Sequence, residues 1–301
     1  MTDRRDFLKL GGVLAVGAIS GVGLAGLAEA AGPVTRKGGP VIKVGCAAYS
    51  YRKYLQGENA TMTLEDFLET AAEVGCDGVE LTSYYFPPDA GIEYMNKLKR
   101  KAFLLGLDVS GTAVGNRFTV PPGAARDAQI ALVKKWINHA AEMGAPCVRI
   151  FAGNAPEGKT EEEAIRWVIE CIEDCAQVAA QRGVVLALEN HGGVTSKADQ
   201  VLAIMQAVES EWVGVNLDTG NFRATDPYAD IAKVAPYAVT THFKTEVRPE
   251  GGKGEEADAK RIVGILRDVG YRGYLTLEYE AAEDPVTAVP RVIRKLREAV
   301  T

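Results

Sequence analysis

Short apolar runs alternate with longer segments of helical periodicity from about residue 41 to the end of the chain. The short runs are rich in aliphatic and β-branched side chains, which is typical of strands buried on both faces. The alternation therefore predicts a parallel sheet whose strands are joined by helices. The predicted strands are 41–48, 77–82, 107–113, 147–152, 184–189, 212–218, 238–243 and 273–278. The predicted helices are 63–75, 90–106, 124–144, 160–182, 196–210, 227–236, 254–270 and 284–299.

Five of the predicted helices end at or directly before a glycine that precedes the next strand, at Gly75, Gly106, Gly144, Gly183 and Gly270. Glycine in that position can adopt the left-handed conformation that ends a helix without a steric penalty. Eight strand–helix units in about 260 residues favour a closed (β/α)8 TIM barrel over an open sheet. Because no linker or low-complexity tract divides the units, we predict one domain at 41–301, preceded by a short linker at 31–40.

Four potential metal ligands stand at the ends of the fifth to eighth predicted strands: Glu189, Asp218, His242 and Glu278. A carboxylate at the tip of a buried strand needs a partner that neutralises or uses it. The strand ends of a barrel meet at one face, and adjacent strands are about 4.8 Å apart. Three carboxylates and one imidazole at that face suit a divalent cation with mixed oxygen and nitrogen preference.

Each of these ligands has a polar companion two positions away on the same face of its strand. The companions are His191, Asn216, Lys244 and Glu280. Such residues can contact substrate or orient the ligands, as metal sites require.

The strand ends also carry motifs that resemble one family. These are Leu188-Glu-Asn-His-Gly-Gly193, Asn216-Leu-Asp-Thr-Gly-Asn221, Thr241-His-Phe-Lys244 and Leu277-Glu278, with further matches at Gly78-Val-Glu80, Asn116-Arg-Phe118 and Val148-Arg-Ile-Phe-Ala-Gly153. Together they resemble the xylose isomerase-like TIM barrel family of sugar isomerases and epimerases over about residues 41–300. One difference is Asn221, because ketose 3-epimerases commonly have a histidine at that position.

The resemblance implies that Glu189, Asp218, His242 and Glu278 bind one divalent ion, with Mn²⁺ as first choice and Mg²⁺, Co²⁺ or Zn²⁺ as alternatives. It also implies an isomerase that removes a proton next to a carbonyl through an enediolate. We expect Glu189 and Glu278 to be the catalytic carboxylates and a non-phosphorylated sugar or polyol to be the substrate.

Other functions remain open at this stage. One is a metal-dependent lyase or hydrolase acting on oxidised sugars or glycosides, and another is a non-catalytic periplasmic sugar-binding protein. A nuclease related to endonuclease IV is disfavoured, because the chain has only three histidines and a net charge of −6. The same charge argues against nucleic acid as a partner. The sequence leaves the oligomeric state open, a homo-oligomer included.

Six further residues are candidates for binding substrate: His191, Lys244, Glu80, Arg149, Tyr49 and Phe118. Arg149 has two alternatives, an anionic substrate group or a structural ion pair with Glu80. Tyr49 and Phe118 follow predicted strands and can form a wall for a sugar ring, although ordinary packing explains such aromatic residues equally well.

The first thirty residues resemble a twin-arginine export signal. Arg4 and Arg5 precede an apolar stretch at 10–28, and Ala28-Glu29-Ala30 is a small-residue cleavage pattern. We predict cleavage after Ala30, a periplasmic or otherwise exported location, the twin-arginine export machinery as a partner and no stable membrane association afterwards. The alternative is a retained anchor, which the glycines in the apolar stretch disfavour.

Overall fold

The computed structural model describes residues 31–58 and 60–301. The predicted export signal at residues 1–30 lies outside the described residues. None of the described helices is both long and apolar enough to cross a membrane.

Eight parallel strands form a closed barrel in which each strand pairs with its neighbours along the chain, and the last pairs with the first. They are β1 (Val41–Ala47), β2 (Gly78–Thr82), β3 (Asp108–Ala113), β4 (Cys147–Ile150), β5 (Val185–Glu189), β6 (Val213–Asp218), β7 (Ala238–Phe243) and β8 (Arg272–Leu277). A helix follows each of the eight barrel strands, and the last helix packs against β1. The eight longest described helices are α1 (Leu64–Glu73), α2 (Ile92–Leu104), α3 (Ala124–Met143), α4 (Glu161–Arg182), α5 (Ala198–Ala207), α6 (Pro227–Val234), α7 (Ala259–Asp268) and α8 (Pro285–Val300). The predicted (β/α)8 TIM barrel is confirmed.

Local signals explain where the helices begin and end. Thr63 and Thr160 form capping boxes at the starts of α1 and α4, where each side chain accepts a hydrogen bond from a backbone N–H of the first turn. Gly144 and Gly183 end α3 and α4 in the left-handed conformation, with φ of 77° and 66°. These positions therefore favour glycine, as the sequence pattern predicted.

The loop between β7 and α7 differs from the predicted helix at 254–270. Helix α7 begins at Ala259, because the Asp258 side chain accepts a hydrogen bond from the Arg261 N–H and caps it there. Upstream, Glu246–Val247 pairs with Glu255–Glu256 as a short antiparallel ribbon. The glycine-rich segment between these two strands is thus the tip of a hairpin.

The predicted linker at 31–40 contacts the N-terminal end of the barrel. The Ala31 N–H donates to the Val208 carbonyl at 2.8 Å, and the Val34 N–H donates to the Pro236 carbonyl at 2.8 Å. The Arg36 guanidinium lies 5.2 Å from the centre of the Tyr271 ring. This segment therefore packs at the end of the barrel opposite the strand tips that carry the candidate ligands.

Candidate active site

Three predicted ligands converge at the C-terminal ends of the strands. Potential ligand atoms of Glu189, Asp218 and His242 all lie within 4.8 Å of one another. Strand register explains the convergence, because Asp218 on β6 is paired with His242 on β7, and Glu189 on β5 is paired with Asn216 on β6. All three ligand side chains are buried.

Glu278, which follows β8, belongs to the same cluster. Its Oε1 lies 3.6 Å from His242 Nδ1, an atom that is also 3.5 Å from Glu189 Oε2 and 4.0 Å from Asp218 Oδ2. Its other oxygen, Oε2, pairs with the Lys244 ammonium at 2.6 Å. The imidazole Nδ1 is therefore surrounded by the three carboxylates that the sequence placed at neighbouring strand tips.

Glu80 on β2 orients the imidazole. Its Oε2 lies 2.8 Å from His242 Nε2, so the opposite ring nitrogen faces the carboxylates. Asn216 Nδ2 lies 3.1 Å from His242 Nδ1 and donates to Glu189 Oε2 at 3.0 Å. A carboxylate on the outer nitrogen of a ligand histidine fixes the ring and raises its basicity. The structure thus places Glu80 behind the imidazole.

Arg149 on β4 pairs with Glu189. Arg149 Nε lies 3.1 Å from Glu189 Oε2, its Nη1 donates to the Val114 carbonyl at 3.2 Å, and its guanidinium stacks 3.8 Å from the centre of the Phe151 ring. The ion pair with Glu80 that the sequence left open is replaced by this contact, because Glu80 is engaged by His242.

Two asparagines in the loops after the strands form hydrogen bonds with residues of the cluster. Asn221 Nδ2 donates to Glu189 Oε1 at 3.2 Å. Asn190 exchanges two hydrogen bonds of 2.8 Å with the backbone of Asp218. Asn190 was not among the predicted site residues, although its place directly after Glu189 in the chain is a signal that could have found it.

Burial and the neighbouring charges shift the pKa values of the cluster in opposite directions. Burial, together with Glu189 and Glu278, raises the pKa of Asp218 to about 7 in spite of Lys244. Burial also opposes ionisation of Glu278, but His242, Lys244 and Arg149 outweigh it and lower the pKa of Glu278 to about 2. For His242, Glu80 and Glu278 outweigh burial and raise the pKa to about 10. The raised pKa of His242 shows that negative charges dominate its surroundings, and such surroundings attract cations.

The donor set fits a divalent cation. Asp218 Oδ2 is buried and has no hydrogen-bond partner among the described residues. A buried carboxylate oxygen without a partner is costly unless a cation binds it. Carboxylate oxygens combined with one imidazole nitrogen are ligands that Mn²⁺, Zn²⁺ and related ions accept.

A cleft of about 170 Å³ opens onto the cluster, and we call it the inner cleft. It is lined by Tyr49, Tyr84, Arg149, Phe151, Glu189, His191, Glu278 and Glu280. The His191 ring lies 4.3 Å from the Phe151 ring, centre to centre. Of the predicted substrate contacts, Tyr49, Arg149 and His191 line this cleft.

Phe118 and Lys244 occupy other positions. Phe118 is fully buried in the hydrophobic core, and its N–H donates to the Ala152 carbonyl at 2.8 Å. Its position supports the packing alternative. Lys244 stands beside the inner cleft, where it pairs with Glu278 and Glu280.

Sequence reasoning missed Tyr84 and Phe151 as lining residues. Phe151 lies two positions beyond Arg149, so the two-residue period of strand side chains was a usable signal. Tyr84 lies in the turn after β2, where no sequence pattern separates an aromatic residue that lines a cleft from one that packs in the core.

The barrel and its strand-end cluster define a TIM-barrel protein with a candidate metal centre. The chain belongs to the xylose isomerase-like TIM barrel family, whose model matches residues 68–299. The family resemblance inferred from the motifs is thereby confirmed. No curated protein sequence matches the chain.

Several solved structures share the fold. 3-Keto-D-glucoside 4-epimerase from E. coli is 16% identical, with a TM-score of 0.69 over 86% of this chain and 100% of the other. D-Psicose 3-epimerase from Clostridium cellulolyticum H10 is 18% identical, with a TM-score of 0.66 over 86% and 96%. The zinc-bound IolI protein is 17% identical, with a TM-score of 0.70 over 85% and 96%. At these identities the likeness concerns the fold.

Proposed function

We propose that this protein is a divalent metal-dependent sugar isomerase or epimerase that removes a proton next to a carbonyl of a non-phosphorylated sugar or polyol. The observation that carries the proposal is the convergence of three buried carboxylates on the Nδ1 atom of His242. The fold is shared with sugar epimerases and with a zinc-bound protein, which supports the same class.

Glu189, Asp218, His242 Nδ1 and Glu278 would hold the ion, with Mn²⁺ as first choice. When bound, a divalent ion supplies Lewis acidity that polarises the carbonyl and stabilises negative charge on its oxygen.

Glu189 and Glu278 are the proposed proton acceptor and donor. They come from β5 and from the end of β8, which β6 and β7 separate, so they approach a bound sugar from different sides. Return of the proton to the opposite face of the same carbon gives an epimer, and return to the neighbouring carbon interconverts aldose and ketose. Lys244 and His191 are the residues that we propose to bind sugar oxygens near the reacting carbon.

The charges of the inner cleft favour a neutral substrate. Arg149 is paired with Glu189, and Lys244 beside the cleft is paired with Glu278 and Glu280. A phosphate would compete with these carboxylates for the cations and would lie among the three carboxylates that line the cleft. Sugar hydroxyls can instead donate to the carboxylates, and a sugar ring can stack on Tyr49, Tyr84 or Phe151.

We also propose export through the twin-arginine route with cleavage after Ala30, which the signal-like pattern at 1–30 supports. Intact-mass measurement of protein recovered from the periplasm tests this, and a chain that retains residues 1–30 would contradict it.

Metal content and proton exchange test the function together. We expect about one divalent ion per chain by elemental analysis, and metal-dependent exchange of the α-proton with D₂O for at least one sugar of a ketose and aldose panel. Glu278→Gln should abolish the exchange, whereas Asp108→Asn at the opposite end of the barrel is the matched carboxylate control. A metal-loaded protein that exchanges no sugar would contradict the proposed reaction.

A further inference from the structure

A second cleft lies on the far side of Lys244 and Glu280 from the inner cleft. It has a volume of about 300 Å³, and we call it the outer cleft. It is lined by the loops that follow β6, β7 and β8, and its residues include Asn221, Arg223, Lys244, Thr245, Glu280 and Ala281. Glu280 belongs to the walls of both clefts.

The outer cleft touches the proposed reaction centre directly. Its wall residue Asn221 donates to Glu189 Oε1 at 3.2 Å, and its wall residue Lys244 pairs with Glu278 Oε2 at 2.6 Å. The two proposed catalytic carboxylates therefore lie between the clefts. A molecule that reacts at this centre can extend into either one.

The two clefts differ in volume. The inner cleft is the smaller, at about 170 Å³, and we assign one sugar ring to it because both proposed catalytic carboxylates line it. The outer cleft is larger, at about 300 Å³, and a monosaccharide held in the inner cleft leaves this space unexplained.

The lining of the two clefts is chemically different. The inner cleft carries three aromatic rings on which a sugar ring can stack, Tyr49, Tyr84 and Phe151, whereas the outer cleft is lined by polar groups and small residues without an aromatic ring. Polar linings of this kind suit a ligand that offers many hydrogen bonds.

Each cationic side chain of the outer cleft already contacts oxygen atoms of the protein, and two of the three contact carboxylates. Arg248 donates to Glu246 at 2.7 Å, and Lys244 pairs with Glu280. Arg223 Nη1 donates to the carbonyls of Gly220 and Phe222 at 2.8 and 3.1 Å. Because these cations already have oxygen partners within the protein, a neutral, hydroxyl-rich group fits the outer cleft better than an anion.

We infer that the outer cleft binds a second sugar ring, so that the substrate is a disaccharide or related glycoside whose carbonyl-bearing ring lies in the inner cleft. This inference rests on the proposed function, because it assumes that the reacting carbonyl lies at the four-residue cluster. It assigns recognition of substrate length to the residues that line the outer cleft, none of which is a proposed proton carrier.

Two sugars and two variants test the inference. D-Fructose and lactulose share a ketose ring, and lactulose adds a second ring. With the full metal-loaded protein, kcat/KM for α-proton exchange in D₂O should be at least tenfold higher for lactulose. Ala281→Trp fills the outer cleft from an exposed loop position and should reduce that preference at least tenfold. Ala282→Trp, the exposed neighbour that does not line the outer cleft, is the matched control and should leave the preference unchanged.

Calorimetric binding of both sugars separates failure of the inference from failure of the function. Exchange of both sugars with no preference for lactulose, or with a preference that Ala281→Trp leaves intact, overturns the second-ring site while the proposed function stands. If lactulose binds without α-proton exchange, and Ala281→Trp weakens that binding at least tenfold, the second-ring site is supported and the proposed reaction is contradicted. Neither binding nor exchange of either sugar overturns both.

Discussion

The two ends of the barrel use charged residues in opposite ways. At the N-terminal end, Lys43 and Asp108 form an ion pair of 2.7 Å, and the Tyr274 hydroxyl donates to the same carboxylate. At the C-terminal end, Glu189, Asp218 and Glu278 are buried around one imidazole. Asp218 Oδ2 accepts no hydrogen bond from the described residues, and the Lys244 ammonium lies 3.7 Å from it. The first arrangement satisfies each charge with a neighbour, and the second leaves negative charge in excess.

The pKa directions express the same difference. Hydrogen bonds from Lys43 and Tyr274 lower the pKa of Asp108. Burial raises the pKa of Asp218 to about 7. A folded protein gains stability from a carboxylate of the first kind and loses stability to one of the second kind. Excess charge at the strand tips is therefore a cost to folding that binding of a cation would offset.

The largest difference between the ends should appear in activity. Glu189→Gln should reduce α-proton exchange by about 10²–10⁴-fold, the range for removing a general acid or base. Asp108→Asn makes the same chemical change at the opposite end and should leave the rate within about twofold. Exchange rates in D₂O under metal-saturating conditions provide the measurement. If Glu189→Gln retained the full rate while sugar binding persisted, the site would be a binding site and the catalytic role would be wrong.

The second-largest effect is expected for the free energy of unfolding of the metal-free protein, which replacement of Asp218 should increase. The pKa of Asp218 is raised in the folded state, so the penalty for ionising it is absent below about pH 4, grows as the pH rises to about 7 and is constant above. Asp218→Asn should therefore stabilise the metal-free protein at pH 8, on the order of 2–4 kcal/mol, and by much less at pH 4.

Urea unfolding with chelator at pH 4, 6 and 8 measures that difference. Adding a divalent ion should reverse the order at pH 8, because the wild type gains ligand-linked stability that the variant lacks. A metal-free variant that is less stable than wild type at pH 8 would show that Asp218 is satisfied in the folded protein.

Metal affinity should respond to a residue that does not itself bind the ion. Glu80→Gln keeps a hydrogen-bond acceptor near His242 Nε2 but removes the charge that orients and polarises the ring. We expect metal affinity to fall by about 10–100-fold, as for other carboxylates behind ligand histidines. Titration calorimetry with Mn²⁺ measures the change. An unchanged affinity would mean that packing alone orients the imidazole.

The smallest effect is expected for stability at the N-terminal end. Asp108→Asn removes an ion pair whose two side chains are about half exposed, so the loss should be about 0.2–1 kcal/mol. Because the pKa of Asp108 is lowered, this contribution is present above about pH 4 and is lost as the pH falls through the folded-state pKa. Chemical unfolding at pH 7 and pH 3 tests it, and equal losses at both values would point to packing instead of charge.

Particular residues show how much of the candidate site could be predicted from the sequence. Glu189, Asp218, His242 and Glu278 were found because each ends a strand-like run, and a closed barrel brings such ends to one face. Glu80 was a candidate whose partner stayed open, since nothing in its own strand shows that the His242 imidazole, far along the chain, lies 2.8 Å away. Phe118 was assigned by proximity to a strand end, while its burial depends on packing from other segments.

The sequence by itself determined the eight strand–helix units, the capping glycines and the residue types at the strand tips. These features follow from local periodicity and backbone conformation, which neighbouring residues in the chain control. Only the tertiary structure decided which charges pair: Arg149 with Glu189, His242 with Glu80 and Lys244 with Glu278. Pairing depends on distances of a few ångströms between strands that are far apart in sequence, and strand register together with packing sets those distances.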